Sequence, residues 1–103
     1  MTIHRNKSRE ALLAVLAAEF GERLPPGLPE PITAVVVPGD VVNGRVARKA
    51  IERVGSDFGA SLVFAARAFT LEARAIGEEA GTVFISTMEA TIYTDEDLLR
   101  IGH

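Results

Sequence analysis

SLVFAARAFTLEARAIGEEAG, residues 61–81, decides the fold. Its first six residues, Ser61 to Ala66, form an apolar run that suits a buried strand. Thr70 then offers a side-chain oxygen to the free amides of a following helix, Leu71–Ala80, which Gly81 ends. Two other readings share these residues. Leu62, Ala66, Phe69, Ala73 and Ile76 are also spaced for one helix from Asp57 to Ala80, and 61–76 can be written as a single long strand. Short apolar runs discriminate poorly between these readings, and strand-then-helix is the one preferred.

Upstream, Ile32-Thr-Ala-Val-Val-Val37 is a β-branched run without alternation, closed by Pro38-Gly39. Such a run suits a strand covered on both faces, as in a parallel sheet. Asn43 caps a helix over 43–58, with Ala47, Ala50, Ile51, Val54 and Phe58 on one face. Downstream, Thr82–Ser86 reads as a third strand, Thr91–Thr94 as its continuation or an edge partner, and Thr94-Asp-Glu-Asp97 as the start of a last helix. At the other end, Ser8 caps a helix over 8–23 whose apolar face is Leu13, Leu16, Ala17, Phe20 and Leu24. Four prolines and a glycine within residues 24–31 stop that helix. The expectation is one α/β domain over 1–103: an N-terminal helix (1–24), a Pro-rich connector (25–31) and an α/β core (32–103). Its sheet is short, mostly parallel and of about three strands, in the order α-β-α-β-α-β-α.

With 103 residues and 48% apolar composition, the chain can bury a core without staples. It has no cysteine, which removes disulfides, thiolate metal sites and thiol nucleophiles. No apolar stretch spans a bilayer, and the basic N-terminus lacks the apolar segment of a secretory leader, so a cytoplasmic location is expected. The net charge of −3 conceals an asymmetry: residues 1–53 hold eight Lys/Arg against six Asp/Glu, and residues 54–103 hold three against eight. That balance argues against a strongly nucleic-acid-coating protein, and leaves room for a local basic patch.

The stretch Ala68-Phe69-Thr70 through Ile85, followed by Thr94-Asp-Glu-Asp-Leu-Leu99, resembles the C-terminal half of Mrr-type restriction-endonuclease-like domains, over roughly residues 43–101. The resemblance implies a nuclease-like fold in which helix 43–58 follows the catalytic strands. Nucleases of that family carry an Asp and then Glu/Gln-x-Lys on those strands. Here the region offers only Asp40 and no lysine, too few groups to hold a cation and stabilise charge at phosphorus. The resemblance thus implies a domain without the active site.

Arg45, Arg48, Lys49 and Arg53 lie opposite the apolar stripe of helix 43–58 and are the candidate nucleic-acid-facing residues, with His4, Arg5, Lys7 and Arg9 as further basic groups. A solvated helix face is the better account of them, because charge runs usually only solubilise a helix, and no aromatic is interleaved to stack on bases. Gly39-Asp-Val-Val-Asn-Gly44-Arg45-Val46 has the glycine spacing of a phosphate loop but lacks its Lys and its hydroxyl. His4 and His103, near the two ends, make poor catalytic bases, and Asp95, Glu96 and Asp97 suit a helix start better than a cation site. No catalytic residue, metal site or cofactor is assigned.

The leading expectation is a non-catalytic binding or assembly module, a degenerate nuclease-like domain acting beside nucleic acid or inside a larger complex. A component of a bacterial or phage assembly is one alternative. Another is a small enzyme with Asp40, Arg67 or Glu89 lining a cleft at the strand ends. A homo-oligomer or protein partner is favoured over nucleic acid, because so apolar a small chain leaves much to cover. Leu62, Ala66, Phe69 and Ala73 are the candidate interface.

Overall fold

The computed structural model describes residues 1–21, 23–88 and 93–101; Glu89, Thr91 and His103, named above, lie outside the described residues. The elements run β1 (Thr2–Lys7), α1 (Arg9–Leu16), β2 (Ile32–Val42), α2 (Gly44–Val54), β3 (Ser61–Phe69), α3 (Leu71–Glu79), β4 (Thr82–Ser86) and α4 (Asp95–Ile101). Residues 61–81 therefore form strand and then helix, and the single-helix and long-strand alternatives fall.

The two apolar runs pair with each other. Ile32 through Val37 and Ser61 through Ala66 are buried throughout, and they form a parallel ladder from Ile32 opposite Ser61 to Val37 opposite Ala66. Pro38-Gly39 bends β2 instead of ending it. Residues 38–40 are exposed within a break in register, and pairing resumes at Val41–Ala68 and Val42–Phe69. A proline has no N–H to lose from a ladder, and a bulge is where a strand tolerates one. β4 pairs in parallel with the far side of β3, so β2 and β4 flank it.

β1 corrects the expected architecture. It pairs antiparallel with β2 and makes a sheet of four strands, β1-β2-β3-β4, so that the described chain begins with a strand and not a helix. Its residues, TIHRNK, carry no apolar run because only Ile3 and His4 are even partly buried. An edge strand needs little more than that.

Alternate side chains of β2 and β3 feed two cores. Val35, Val37, Leu62, Phe64 and Ala66 pack with Ala47, Ala50 and Val54 of α2 and Ala73 of α3. Ala34, Val36, Val63 and Ala65 pack under Leu12 and Leu16 of α1 and under Phe20 and Leu24 beyond it. The buried face of α1 is thus one residue out of the expected register at its start: Leu12 is buried, Leu13 half-buried and Ala17 exposed. Ser8 caps α1 through the Ala11 amide and Asn43 caps α2 through that of Val46, both as expected.

This packing changes the meaning of the candidate interface. Leu62, Ala66, Phe69 and Ala73 are 2%, 0%, 3% and 0% exposed within the chain itself. Two helices on one side and one on the other absorb the apolar side chains that seemed to need a partner. Two basic residues of the N-terminal segment are likewise structural. Arg5 donates to the last carbonyls of α2, Val54 at 3.0 Å and Arg53 at 2.6 Å, where a cation offsets the negative end of the helix. Arg9 binds the carbonyls of Leu24 and Pro25 and fixes the Pro-rich connector against the body.

On the α2/α3 side, Phe64, Phe69 and Phe84 form an edge-to-face series with centroids 5.2 and 4.9 Å apart. Arg74 lies over the last two rings. Gly77 of α3 rests directly on Phe84, and a methyl group there would collide with the ring. Helix propensity alone favours Gly77→Ala by about 1 kcal/mol. Overpacking reverses the sign, so the variant is expected to lose about 1–3 kcal/mol in denaturant unfolding. A gain in stability would show that α3 is free to shift away from the ring.

Candidate functional site

Parallel strands deliver the helices that follow them to one end of the sheet. β2 ends at Val42 and α2 starts two residues later; β3 ends at Phe69 and α3 starts after its cap, Thr70. The starts are tied together by hydrogen bonds from the Thr70 amide to the Val42 carbonyl (3.0 Å) and from the Leu71 amide to the Tyr93 carbonyl (2.7 Å). The second bond brings the beginning of α4 to the same place.

Asp95, the first residue of α4, joins all three helix starts. Its carboxylate accepts from the Gly44 amide at 3.0 and 3.1 Å and from the Thr70 hydroxyl at 2.5 Å. Its own amide donates to Glu72 at 2.5 Å. Thr70 works in both directions, because its oxygen also accepts from the Ala73 amide at 3.2 Å and so caps α3. Gly44 is tightly packed here: a Cβ would stand 3.0 Å from the Asp95 carboxylate and 3.1 Å from Glu72 Cβ, so a side chain requires these neighbours to give by a few tenths of an ångström. Thr94 and Asp97 close the base of α4 by exchanging amide-to-side-chain bonds of 3.1 Å. This is the reciprocal cap of a helix N-terminus.

Partial burial pushes the Asp95 carboxyl up, but the hydrogen bonds from Thr70 and Gly44 and the contact with Glu72 together hold it below its ordinary value. Asp97 is likewise held low, by the amide and then the hydroxyl of Thr94.

Beside this junction opens a cleft of about 350 Å³, lined by Gly44, Arg45, Arg48, Lys49, Glu52, Glu72, Ile76 and Asp95. Three of the four candidate nucleic-acid-facing residues, Arg45, Arg48 and Lys49, therefore share one wall. None of them makes a side-chain hydrogen bond or ion pair to another described residue; the ion pair found among those residues is Arg100 with Glu96, on α4. Arg53 does not join them, lying at the other end of α2 beside the carbonyl that Arg5 binds. Of the facing carboxylates, Asp95 and Glu72 are engaged by donors of the wall itself.

The glycine-spaced segment 39–46 forms no phosphate cradle, since residues up to Val42 stay in β2 and the Gly44 amide is already taken by Asp95. Asp40 is exposed in the bulge and Arg67 exposed on β3, and neither lines the cleft. Among the described residues no group of three or more His, Asp or Glu side chains gathers as metal ligands. No described helix is long and apolar enough to cross a membrane. The cleft can hold an anionic group between guanidinium and ammonium donors, and no side chain on its wall is poised as a nucleophile beside a base. Sequence reasoning missed Glu72, Ile76 and Asp95. Asp95 reads as a helix-start residue, which it is, and nothing local announces that its helix abuts α2.

No family model matches the chain, and neither does any curated protein or solved structure.

The bonds to Asp95 make its contribution to folding pH-dependent. The carboxyl is lower in the folded chain than its ordinary value of 3.8, so its stabilisation is complete above 3.8 and is lost as pH falls through the folded value. Asp95→Ala is expected to cost about 1 kcal/mol near neutral pH. The gap from the unsubstituted chain should close as the pH is taken below 3.8. A gap that stays constant in thermal melts across this range would show that the carboxylate charge contributes nothing.

Proposed function

We propose that this chain is a non-catalytic binding module whose working surface is the α2 wall of the strand-end cleft, and that its ligand is the phosphate backbone of duplex nucleic acid. The observation that supports this most is the convergence of Arg45, Arg48 and Lys49 on one cleft, without acceptors among the described residues. Desolvated or paired cations would be structural; cations left exposed at the end of a sheet where ligands commonly bind are available. The wall carries no aromatic residue, which favours contacts to backbone phosphates over stacking on single-stranded bases. Binding without cleavage accords with the resemblance to nuclease-like domains and with the lack of their metal-holding pair, Asp40 standing alone in its bulge.

Three phosphate contacts predict a slope of about −3 in log affinity against log salt for a labelled duplex. Replacing Arg48 and Lys49 together by Ala should reduce the slope by about 2 units and weaken binding irrespective of sequence. Fluorescence anisotropy at low ionic strength measures both. Absence of binding there, or binding that ignores the double substitution, removes this reading.

A second reading is self-assembly, favoured by the contrast between the two edges of the sheet. β1 presents His4, Arg5 and Lys7, whereas β4, Thr82-Val-Phe-Ile-Ser86, has neither charge nor proline, and no described strand lies outside it. Natural edges are usually guarded by charge, and a bare one accepts another strand. Two copies joined through β4 would scatter light as twice the chain's 11.0 kDa. A mass of one chain at micromolar concentration rules this out.

A further inference from the structure

We propose that Asp95 is an internal competitor for the ligand of the cleft: its carboxylate occupies the anion position at the start of α2, and an incoming phosphate displaces it and frees α4. This rests on the reading of the cleft as a phosphate site. The Gly44 amide is the first of α2, at the positive end of the helix, and Arg45, Arg48 and Lys49 follow it along the same wall. That amide is spent on Asp95 at 3.0 and 3.1 Å. An oxyanion bound among the three cations meets the Asp95 carboxylate as a like charge contending for the same donor. One of the two must leave, and Asp95 is on the lighter element. α4 has seven residues, with Leu98 half-buried and Leu99 71% exposed. Beyond the Leu71 amide to Tyr93 carbonyl bond that precedes it, its hydrogen-bonded attachment to α2 and α3 runs through the bonds of Asp95 to Gly44, Thr70 and Glu72. Exchange of one anion for another thus converts occupancy of the cleft into release of the helix.

The test compares two variants that each remove one negative charge from the lining, Asp95→Asn and Glu52→Gln. The Gly44 amide and the Thr70 hydroxyl bond to Asp95 and not to Glu52, so substitution of Glu52 reports the change in field without freeing those donors. Asn keeps an oxygen for the Gly44 amide, which preserves the fold. Competition predicts that Asp95→Asn tightens binding of the labelled duplex about fivefold more than Glu52→Gln does, a difference typical of a charge at a helix terminus. Thr70→Ala, which loosens Asp95 while leaving the charge in the cleft unchanged, should tighten it in the same direction. Hydrogen exchange of the α4 amides in the unsubstituted chain should quicken as duplex saturates it. Equal tightening in the two charge variants, or α4 protection unchanged at saturation, overturns the competition while leaving the binding site standing. Duplex that binds Asp95→Asn and not the parent chain removes both the proposed function of the parent chain and the exchange at its cleft. Duplex that binds none of the proteins removes the site and the competitor together.

Discussion

The β2–β3 ladder is buried on both faces, and that constraint shapes everything around it. Every residue from Ile32 to Val37 and from Ser61 to Ala66 lies inside, so each backbone polar group there must be paired and each face covered. Parallel pairing forbids a hairpin between the two strands, so a helix must carry the chain back, and α2 does so. The same requirement between β3 and β4 produces α3. Both pack on one side because each crossover steps across the sheet in the same direction, which leaves the other side to α1 and Leu24. Even the polar residues of the interior follow from the ladder: Thr33 is fully buried and its hydroxyl accepts from the Asn6 amide, tying β1 to β2 at the break in their register.

From this geometry the site follows. Two successive crossovers place two helix starts side by side at the ends of β2 and β3, each with unpaired amides and positive potential. Nearby starts of like polarity repel unless something negative sits between them. Asp95 is that group. It neutralises α2 through Gly44 and bonds to the cap of α3 through Thr70, while its own amide is satisfied by Glu72. The anionic junction and the cationic wall of α2 stand at the same place because both are consequences of where α2 begins.

What the sequence made legible divides along the line between local and long-range physics. Ser8, Asn43 and Thr70 announce their helices because a cap needs only its own side chain and an amide three residues on. Strand 32–37 is legible because burial on two faces leaves an unbroken apolar run, and 82–86 through its three consecutive apolar residues, Val83 to Ile85, although as an edge it is only partly buried. β1 is illegible for the opposite reason: an exposed edge selects for nothing that alternation or hydropathy can detect. The interface expected at Leu62, Ala66, Phe69 and Ala73 misjudged the supply of cover, because α2 meets the sheet through small residues, Ala47 and Ala50, and so packs close enough to seal it. Of the site, the cations on α2 were visible as a helical face. Their opposite wall was not, since the proximity of Asp95 to Gly44 spans 51 positions and leaves no mark on either segment.

The charge asymmetry along the chain acquires a spatial meaning at the cleft. Arg45, Arg48 and Lys49 come from the basic front of the sequence, and Glu72 and Asp95 come from its acidic back. With Glu52 the lining holds as many carboxylates as cations, so it exerts little field at distances beyond a Debye length. Such a cleft does not gather anions from afar as a uniformly basic groove would. On the proposed function, discrimination would be exercised at contact, where guanidinium forks and a helix-start amide would meet an oxyanion in fixed directions and the native carboxylates would set the threshold it must exceed. A net charge of −3 is compatible with the proposed phosphate site on those terms, because the contacts proposed are those of one wall, where Arg45, Arg48 and Lys49 stand unpaired by any described residue.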